Sequence, residues 1–360
     1  MKLKVLSLFD GMACGRIALE RAGFGVEAYH ASEIDKWAMQ VAMKNYPDIV
    51  QIGDVCRVDG MKYRDFDMLI GGSPCQGFSF AGKQLNFDDP RSALFFEYVR
   101  ILKEMNPKWF LLENVVMKQE YQDVISEQLG VKPIKINSAL VSAQTRKRLY
   151  WTNIPEIRQP EDKGILLKDI IEGGHSNVFC AAQRGRYTVD GVRQDHKMKV
   201  AGLTQQRIEP RTDGKTNALT SVQKDNLIGY VKVPQANKIG LKQAAFEKKD
   251  NYVQWDASGK GYNSQDQRAY YLDGKHGALP TSSTMSKTGV WFGDNVFRKL
   301  TPIECERLQT VPDNYTEGVS NTQRYKMLGN GWTVDVIAHI FRHIPGCTQR
   351  PESNQRKLFQ

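Results

Sequence analysis

Apolar and polar positions along the first third of the chain alternate between two periods. The run "LKVLSLF" at 3–9 reads as a strand and ends in "DGMACG", after which "RIALERAG" has helical spacing and stops at Gly23. "VEAYHASEI" alternates as a strand does and ends at an acid, and "KWAMQVAMKNY" is helical up to Pro47. "DMLIGGSPC" and "KWFLLENV" each predict a short buried strand with polar residues at its C-terminal end, with the helix "ALFFEYVRILKEM" between them. "KINSALVSAQTRKRLYWTNI" offers a closing pair of strands. This order predicts an α/β fold with a doubly wound, mostly parallel sheet, whose ligands lie outside the carboxyl ends of the strands.

From 155 to 295 apolar periodicity fades and Gly, Asn, Gln, Thr, Lys and Arg dominate. One internal echo stands out, "QRIEPRTDGKTNALTS" at 206–221 against "QRAYYLDGKHGALPTS" at 267–282, which predicts two related hairpin units. Regular structure returns with "TPIECERLQTVPDNY", where Thr301 is a candidate N-cap and Pro302 the first helical residue. "WTVDVIAHIFRHI" is a well-patterned helix. The expected divisions are therefore 1–154, an inserted segment 155–295, helices at 296–346 that complete the first part, and a polar tail at 347–360.

At 360 residues the chain is long enough for several domains or for one domain with a large insertion. Six scattered cysteines, with no CxxC pair or Cys/His cluster, argue against a disulfide framework and a zinc site, and no metal is expected. No long uncharged apolar stretch appears, so the expected setting is cytoplasmic, without a membrane. The formal charge of +10 suits a polyanionic partner.

Candidate chemistry sits at the strand ends. "FDGMACG" is a glycine-bearing turn at a helix N-terminus, but it lacks the GxGxxG fingerprint, and Asp10 would repel a pyrophosphate. An acid there suits a cofactor with an amine or cationic end. Glu33 lies where nucleotide-binding α/β folds place a ribose ligand, and Asp54 in "IGDV" is a candidate for an adenine amine. Each could serve as a turn or cap residue; together, at three successive strand ends, they favour an adenosine-type cofactor.

Cys75, behind Pro74 and among glycines, is either a buried structural thiol or a nucleophile. A nucleophile needs a lowered pKa or an acid that activates its target, and Glu113 in "ENV" supplies an acid on the neighbouring strand end. Gln144, Arg146 and Arg148 in "QTRKR" share one face if that segment is extended, with Lys147 opposite. Such a face binds a phosphate or a polar substrate edge, or is simply solvated.

Taken together, "FDGMACG", "PCQ", "ENV", "QTRKR", "TPIECERLQ" and "QRYKMLGNG" resemble the DNA cytosine-5 methyltransferase family in both sequence and order. In detail "LSLFDGMACGRIAL" and "GNGWTVDVI" resemble the branch that contains the animal de novo enzymes, in a bacterial or phage form. The resemblance implies a Rossmann-like, S-adenosylmethionine-dependent catalytic domain with a smaller, irregular target-recognition domain inserted at 155–295. It implies a Cys75 attack on cytosine C6, with Glu113 on N3 and the exocyclic amine. Arg146 would hold O2 or the adjoining phosphate, Arg148 and Gln144 would support it, and Asn114 would position the Cys75 loop.

For the cofactor the resemblance implies Phe9, Asp10, Gly11 and Gly15 at the methionine end, Glu33 on the ribose and Asp54 near the adenine, with Ile34 and Val55 also among the cofactor-binding residues. Pro74 borders the pocket, and Asn330, Gly331 and Trp332 close it, Trp332 departing from the majority pattern. The target base must be flipped out of the duplex. The glycine-rich run after Cys75 would close over it, with Gln76, Ser79 and Lys83 as DNA contacts. Arg184, Arg186, Arg207, Arg211, Lys215 and Arg268 are the candidates for phosphate or guanine contacts.

The implied partners are double-stranded DNA and a cognate restriction endonuclease, the protein itself acting as a monomer. Competing readings are an RNA (tRNA) cytosine-5 methyltransferase, a catalytically silent DNA-binding homologue and, on architecture alone, a dinucleotide oxidoreductase.

Overall fold

A computed structural model describes residues 1–73, 90–173 and 295–347, and between them 178–186, 188–189, 192–193, 205–211, 213–220, 226–231, 246–248, 252–255, 268–270 and 290–292. The chain divides into two compact units, one made of Met1–Ile165 with Cys305–Gln360 and the other of Leu166–Glu304.

The first unit is built on seven strands: β1 (Lys2–Leu8), β2 (Gly25–Ser32), β3 (Val50–Gln51), β4 (Met68–Gly71), β5 (Trp109–Val115), β6 (Ile134–Asn137) and β7 (Lys147–Thr152). Their order across the sheet is β3-β2-β1-β4-β5-β7-β6. The first five run parallel to one another, while β7 is antiparallel to both β5 and β6. This is the mostly parallel α/β sheet that the alternation of strand and helix periods predicts, closed by the "KIN" and "KRLYWT" strands. All of β4 is buried, and β5 is buried through its middle, as expected of strands covered on both faces.

Helices α1 (Cys14–Arg21), α2 (Lys36–Asn45), α3 (Pro90–Met105) and α4 (Gln119–Leu129) connect the strands. Asp35 starts α2 by accepting from the Trp37 amide at 3.0 Å, and Gly130 ends α4 in the left-handed region. Phe95, Tyr98, Ile101 and Met105 of α3 pack with Leu6, Leu8, Leu69, Phe110, Leu112 and Trp151 in one core. Late in the chain, helices Asn321–Asn330 and Val334–Phe341 return to this unit. There Asp335 pairs with Arg21 of α1 at 2.7 Å.

The second unit contains a five-stranded antiparallel sheet made of Val178–Arg186, Gln205–Pro210, Leu227–Val231, Val290–Phe292 and Asn295–Lys299. A three-stranded sheet joins Phe246–Lys248, Tyr252–Trp255 and Arg268–Tyr270. Thr301 caps the helix Pro302–Leu308 with a reciprocal box: its amide donates to Glu304 Oε2 at 2.8 Å and its hydroxyl accepts from the Glu304 amide at 3.2 Å. Of the two echoed stretches, the first forms the strand Gln205–Pro210 and a turn with Gly214 at φ 67°. Most of the second lies outside the described residues.

Candidate active site

Register brings the site together. Leu8 of β1 pairs with Gly71 of β4, and Gly71 pairs with Leu112 of β5. Phe9 and Gly72 therefore leave the sheet side by side, next to Glu113, which is still within β5 opposite Tyr150 of β7. Strand order reverses between β1 and β4, where open α/β sheets bind their ligands.

The turn after β1 departs from ordinary backbone geometry at three residues, with φ of 57° at Phe9, 61° at Gly11 and 65° at Ala13. Two of these carry side chains, and such conformations persist only where the surroundings impose them. Asp10 lies inside this turn. Its Oδ1 accepts from Ser7 Oγ and from Tyr29 Oη, both at 2.6 Å, while the buried Oδ2 has no hydrogen-bond partner among the described residues. Burial pushes its pKa up to about 6, against the opposing pull of the two hydroxyl bonds.

Glu33, after β2, accepts from the Gly11 amide at 2.8 Å and from the amides of Ile34 and Asp35 at 2.7 and 2.8 Å, so it ties two strand ends together. Gly15 permits close packing, because a Cβ there would meet Ile70 Cδ1 at 2.4 Å and Tyr29 Oη at 3.0 Å and those side chains would have to shift. Ile34 is 77% exposed beside Glu33. The expected third strand is shorter than the sequence suggests and ends at Gln51. Asp54 is an exposed cap of the following turn, accepting from the Cys56 amide at 3.0 Å, and Val55 is buried.

The second half of the site centres on Glu113, which is 9% exposed. Arg148 Nε lies 2.9 Å from its Oε1, and Trp332 Nε1 donates to its Oε2 at 3.2 Å. Gly72 leaves the room for this, since a Cβ there would stand 2.9 Å from Trp332 Nε1 and 3.1 Å from Glu113 Oε2. Asn114, 2% exposed, donates to Ser73 Oγ at 3.4 Å, just before Pro74.

The "QTRKR" segment corrects the expectation of a shared strand face. Strand β7 begins only at Lys147, so Gln144 and Arg146 precede it. Gln144 is fully buried and donates to Leu308 O at 3.1 Å and Gln309 Oε1 at 3.3 Å, which makes it part of the packing. Arg146 is 4% exposed and its Nη2 donates to Gly329 O at 3.2 Å and Gly331 O at 3.0 Å. Burial first, and Arg148 second, pull its pKa down to about 9. Arg148, rather than Arg146, is the arginine at Glu113, because the helix end 329–331 occupies Arg146.

That helix end is itself held. Gln309 Nε2 donates to Leu328 O at 2.6 Å and to Gly331 O at 3.2 Å, and Thr333 Oγ1 bonds Gln309 Oε1 at 3.0 Å and Ser138 Oγ at 2.9 Å. The fully buried Glu306 accepts from Arg324 Nη2 at 2.8 Å and so ties down the same helix. Asn330 is exposed at its end, Gly331 would bring a Cβ 3.4 Å from Cys14 Sγ, and Trp332 is 9% exposed. Sequence reading missed Ser7, Tyr29, Gln309 and Glu306. Only the tertiary structure gives these common residues their partners.

Pro74, Cys75, Gln76, Ser79 and Lys83 lie outside the described residues. In the second unit Arg184 stands opposite Arg207, and Arg186 opposite Gln205, across one antiparallel pair. Arg268 stands opposite Gln254 in the three-stranded sheet. Arg211 is engaged within its own turn: its guanidinium forms a two-point pair with Asp213 and bonds Asn217 Oδ1 at 3.0 Å. The Lys215 amide donates to the same Asp213, at 3.2 Å. Among the described residues no group of His, Cys, Asp and Glu is placed to hold a metal ion, and no helix is long and apolar enough to cross a membrane.

Comparison with known proteins shows the family. The orphan methyltransferase M.SPRI of Bacillus phage SPR is 29% identical over 431 residues, covering 95% of this chain and 97% of that protein. The type II methyltransferase M.HhaI of Haemophilus parahaemolyticus is 27% identical over 344 residues, covering 95% and 94%. The solved structure of Entamoeba histolytica methyltransferase EhMeth has the same fold, with a TM-score of 0.59 at 16% identity, over 95% of this chain and 98% of that one. Residues 3–129 and 176–346 match the C-5 cytosine-specific DNA methylase family, and with most of its length so matched the chain belongs to that family of DNA (cytosine-5-)-methyltransferases.

Proposed function

We propose that this protein methylates C5 of a cytosine flipped out of duplex DNA, at a specific sequence, through a covalent bond between Cys75 and C6. The observation that carries the reading is the buried Glu113, held from two sides at a strand end adjoining the one that leads to Cys75. Cytosine C5 is a poor nucleophile. Attack of the Cys75 thiolate on C6 makes the ring an enamine, and Glu113 at N3 and the exocyclic amine stabilises the charge that develops there. C5 then gains a methyl group and loses its proton, and elimination frees Cys75. Asn114, bonded to Ser73, steadies the start of the Cys75 segment.

The residues at the end of β1 fit S-adenosylmethionine, which supplies an electrophilic methyl group when bound. The buried Oδ2 of Asp10, unpartnered among the described residues, suits its ammonium group, and no described residue lies within 4 Å of the position a Cβ on Gly11 would take. Glu33 would hold the ribose and Asp54 the adenine, with Ile34 and Val55 beside them, and Gly15, Gly331 and Trp332 would wall the site. A base in a duplex is out of reach of these groups, so flipping is required, at a few kcal/mol. Reading of the target falls to the unit Leu166–Glu304, whose arginines on the sheet strands are the candidates.

The test is to incubate the protein with S-adenosylmethionine and unmethylated genomic DNA and to map 5-methylcytosine at base resolution. A sharp sequence motif that disappears in Cys75→Ala is expected. Methylation of tRNA but not duplex DNA would move the substrate to RNA, and no methylcytosine in either would leave a silent DNA-binding homologue.

A further inference from the structure

We propose that Trp332 is a positioning residue for the carboxylate of Glu113 and that Arg146 acts through it. The inference rests on the reading of Glu113 as the group that holds the target pyrimidine. The terminal torsion of a glutamate is broad, so a carboxylate held at one oxygen can still turn its plane. Here each oxygen has its own donor: Arg148 Nε at 2.9 Å on Oε1 and the indole N–H at 3.2 Å on Oε2. An indole nitrogen only donates, which leaves one way to make the second bond. Two donors from different elements fix the plane in which Glu113 meets a base edge.

The indole cannot drift, because the backbone on either side of it is anchored. Gly331 O receives Arg146 Nη2 at 3.0 Å and Gln309 Nε2 at 3.2 Å, and Thr333 Oγ1 is bonded to Gln309 and Ser138. Arg146 thus reaches Glu113 in two steps, through the Gly331 carbonyl and the Trp332 ring. The two arginines of "QTRKR" serve the same carboxylate, one directly and one through the late segment of the chain. Trp332 also lies against the start of α1, with its Cζ3 3.6 Å from where a Cβ on Gly15 would lie, so on the proposed reading its ring is also a wall of the cofactor site. A wall needs only the ring, whereas the bond to Glu113 needs the N–H, and this difference makes the two roles separable.

Trp332→Phe keeps a ring and removes the donor. Its affinity would be measured for S-adenosylhomocysteine, and then, with that ligand bound, for a duplex carrying either cytosine or an abasic site at the mapped target. The expected result is cofactor-product and abasic-duplex affinities within about twofold of wild type and a cytosine-duplex affinity about tenfold weaker, the scale of a hydrogen bond to a charged group. In a Glu113→Gln background the same change should add less than about twofold, as coupling between contacting groups requires. Gly72→Ala, which wedges a methyl group between an intact indole and carboxylate, should reproduce the selective loss.

Equal weakening on both duplexes, or a loss confined to S-adenosylhomocysteine, would make Trp332 a wall and overturn the inference. So would an unchanged cytosine affinity in both variants. A wild-type protein that transfers no methyl group to DNA overturns the proposed function first, and the inference with it.

Discussion

Two arginine–carboxylate pairs, one in each unit, divide the molecule instructively. Arg148 and Glu113 are distant in sequence, meet across the β5/β7 pairing and expose only 15% and 12% of their side chains. Arg211 and Asp213 are near neighbours in one turn, exposing 25% and 50%. The first pair exists because the fold delivers a charge into a low-dielectric strand end, where an unpaired carboxylate would be costly. The second is local chemistry that secures a turn and contributes little to overall stability. In this protein, paired charge thus marks the candidate active site only where tertiary structure, rather than sequence proximity, made the pair.

The contrast is sharpened most by Glu113→Gln, which should lower single-turnover methyl transfer by about a thousandfold, the upper range for loss of one electrostatic partner in a reacting site. A variant within tenfold of wild type would remove Glu113 from the chemistry. Arg148→Met should come next, because it strands a buried carboxylate: we expect about 3 kcal/mol lost from the urea-unfolding free energy. A loss below about 1 kcal/mol, the range of an exposed pair, would erase the distinction between the two pairs.

Asp10 offers a test through pH. Its pKa in the folded protein, about 6, lies above the ordinary 3.8, so folding favours the protonated acid and, without ligand, this group removes stability as pH rises from about 4 to about 6. An ammonium ligand requires the ionised form. Calorimetric affinity for S-adenosylhomocysteine should therefore rise with pH and level off above about 6, falling about tenfold per unit below it. Asp10→Asn should bind weakly with no such slope, and a sloping profile in that variant would exclude Asp10 as the titrating partner.

The smallest effect is expected at Arg211. Arg211→Ala should cost about 1 kcal/mol of stability or less and leave the salt dependence of DNA binding unchanged. A salt slope reduced by about 1 would return Arg211 to the phosphate contacts.

The sequence by itself determined the elements of the catalytic body and the places where its chemistry gathers. Period-2 and period-3.6 runs separate cleanly there, and a mostly parallel sheet puts every strand's polar ending on one edge, so "FDG", "GGS" and "ENV" could be placed before any contact was known. The segment from 155 to 295 was far less legible, because its apolar periodicity is weak and a count of arginines does not distinguish free charges from paired ones.

Only the tertiary structure decided which arginine reaches Glu113. Alternation across "QTRKR" assumed a strand from Gln144, but the strand starts at Lys147, and Arg146 turns instead to carbonyls at 329 and 331. Those partners lie more than 180 residues away, as does the tryptophan that holds the other side of Glu113. Sequence periodicity reports which face of its own element a residue occupies. It carries no information about which distant backbone will stand opposite, and that is set by the packing of the helices that return at the end of the chain.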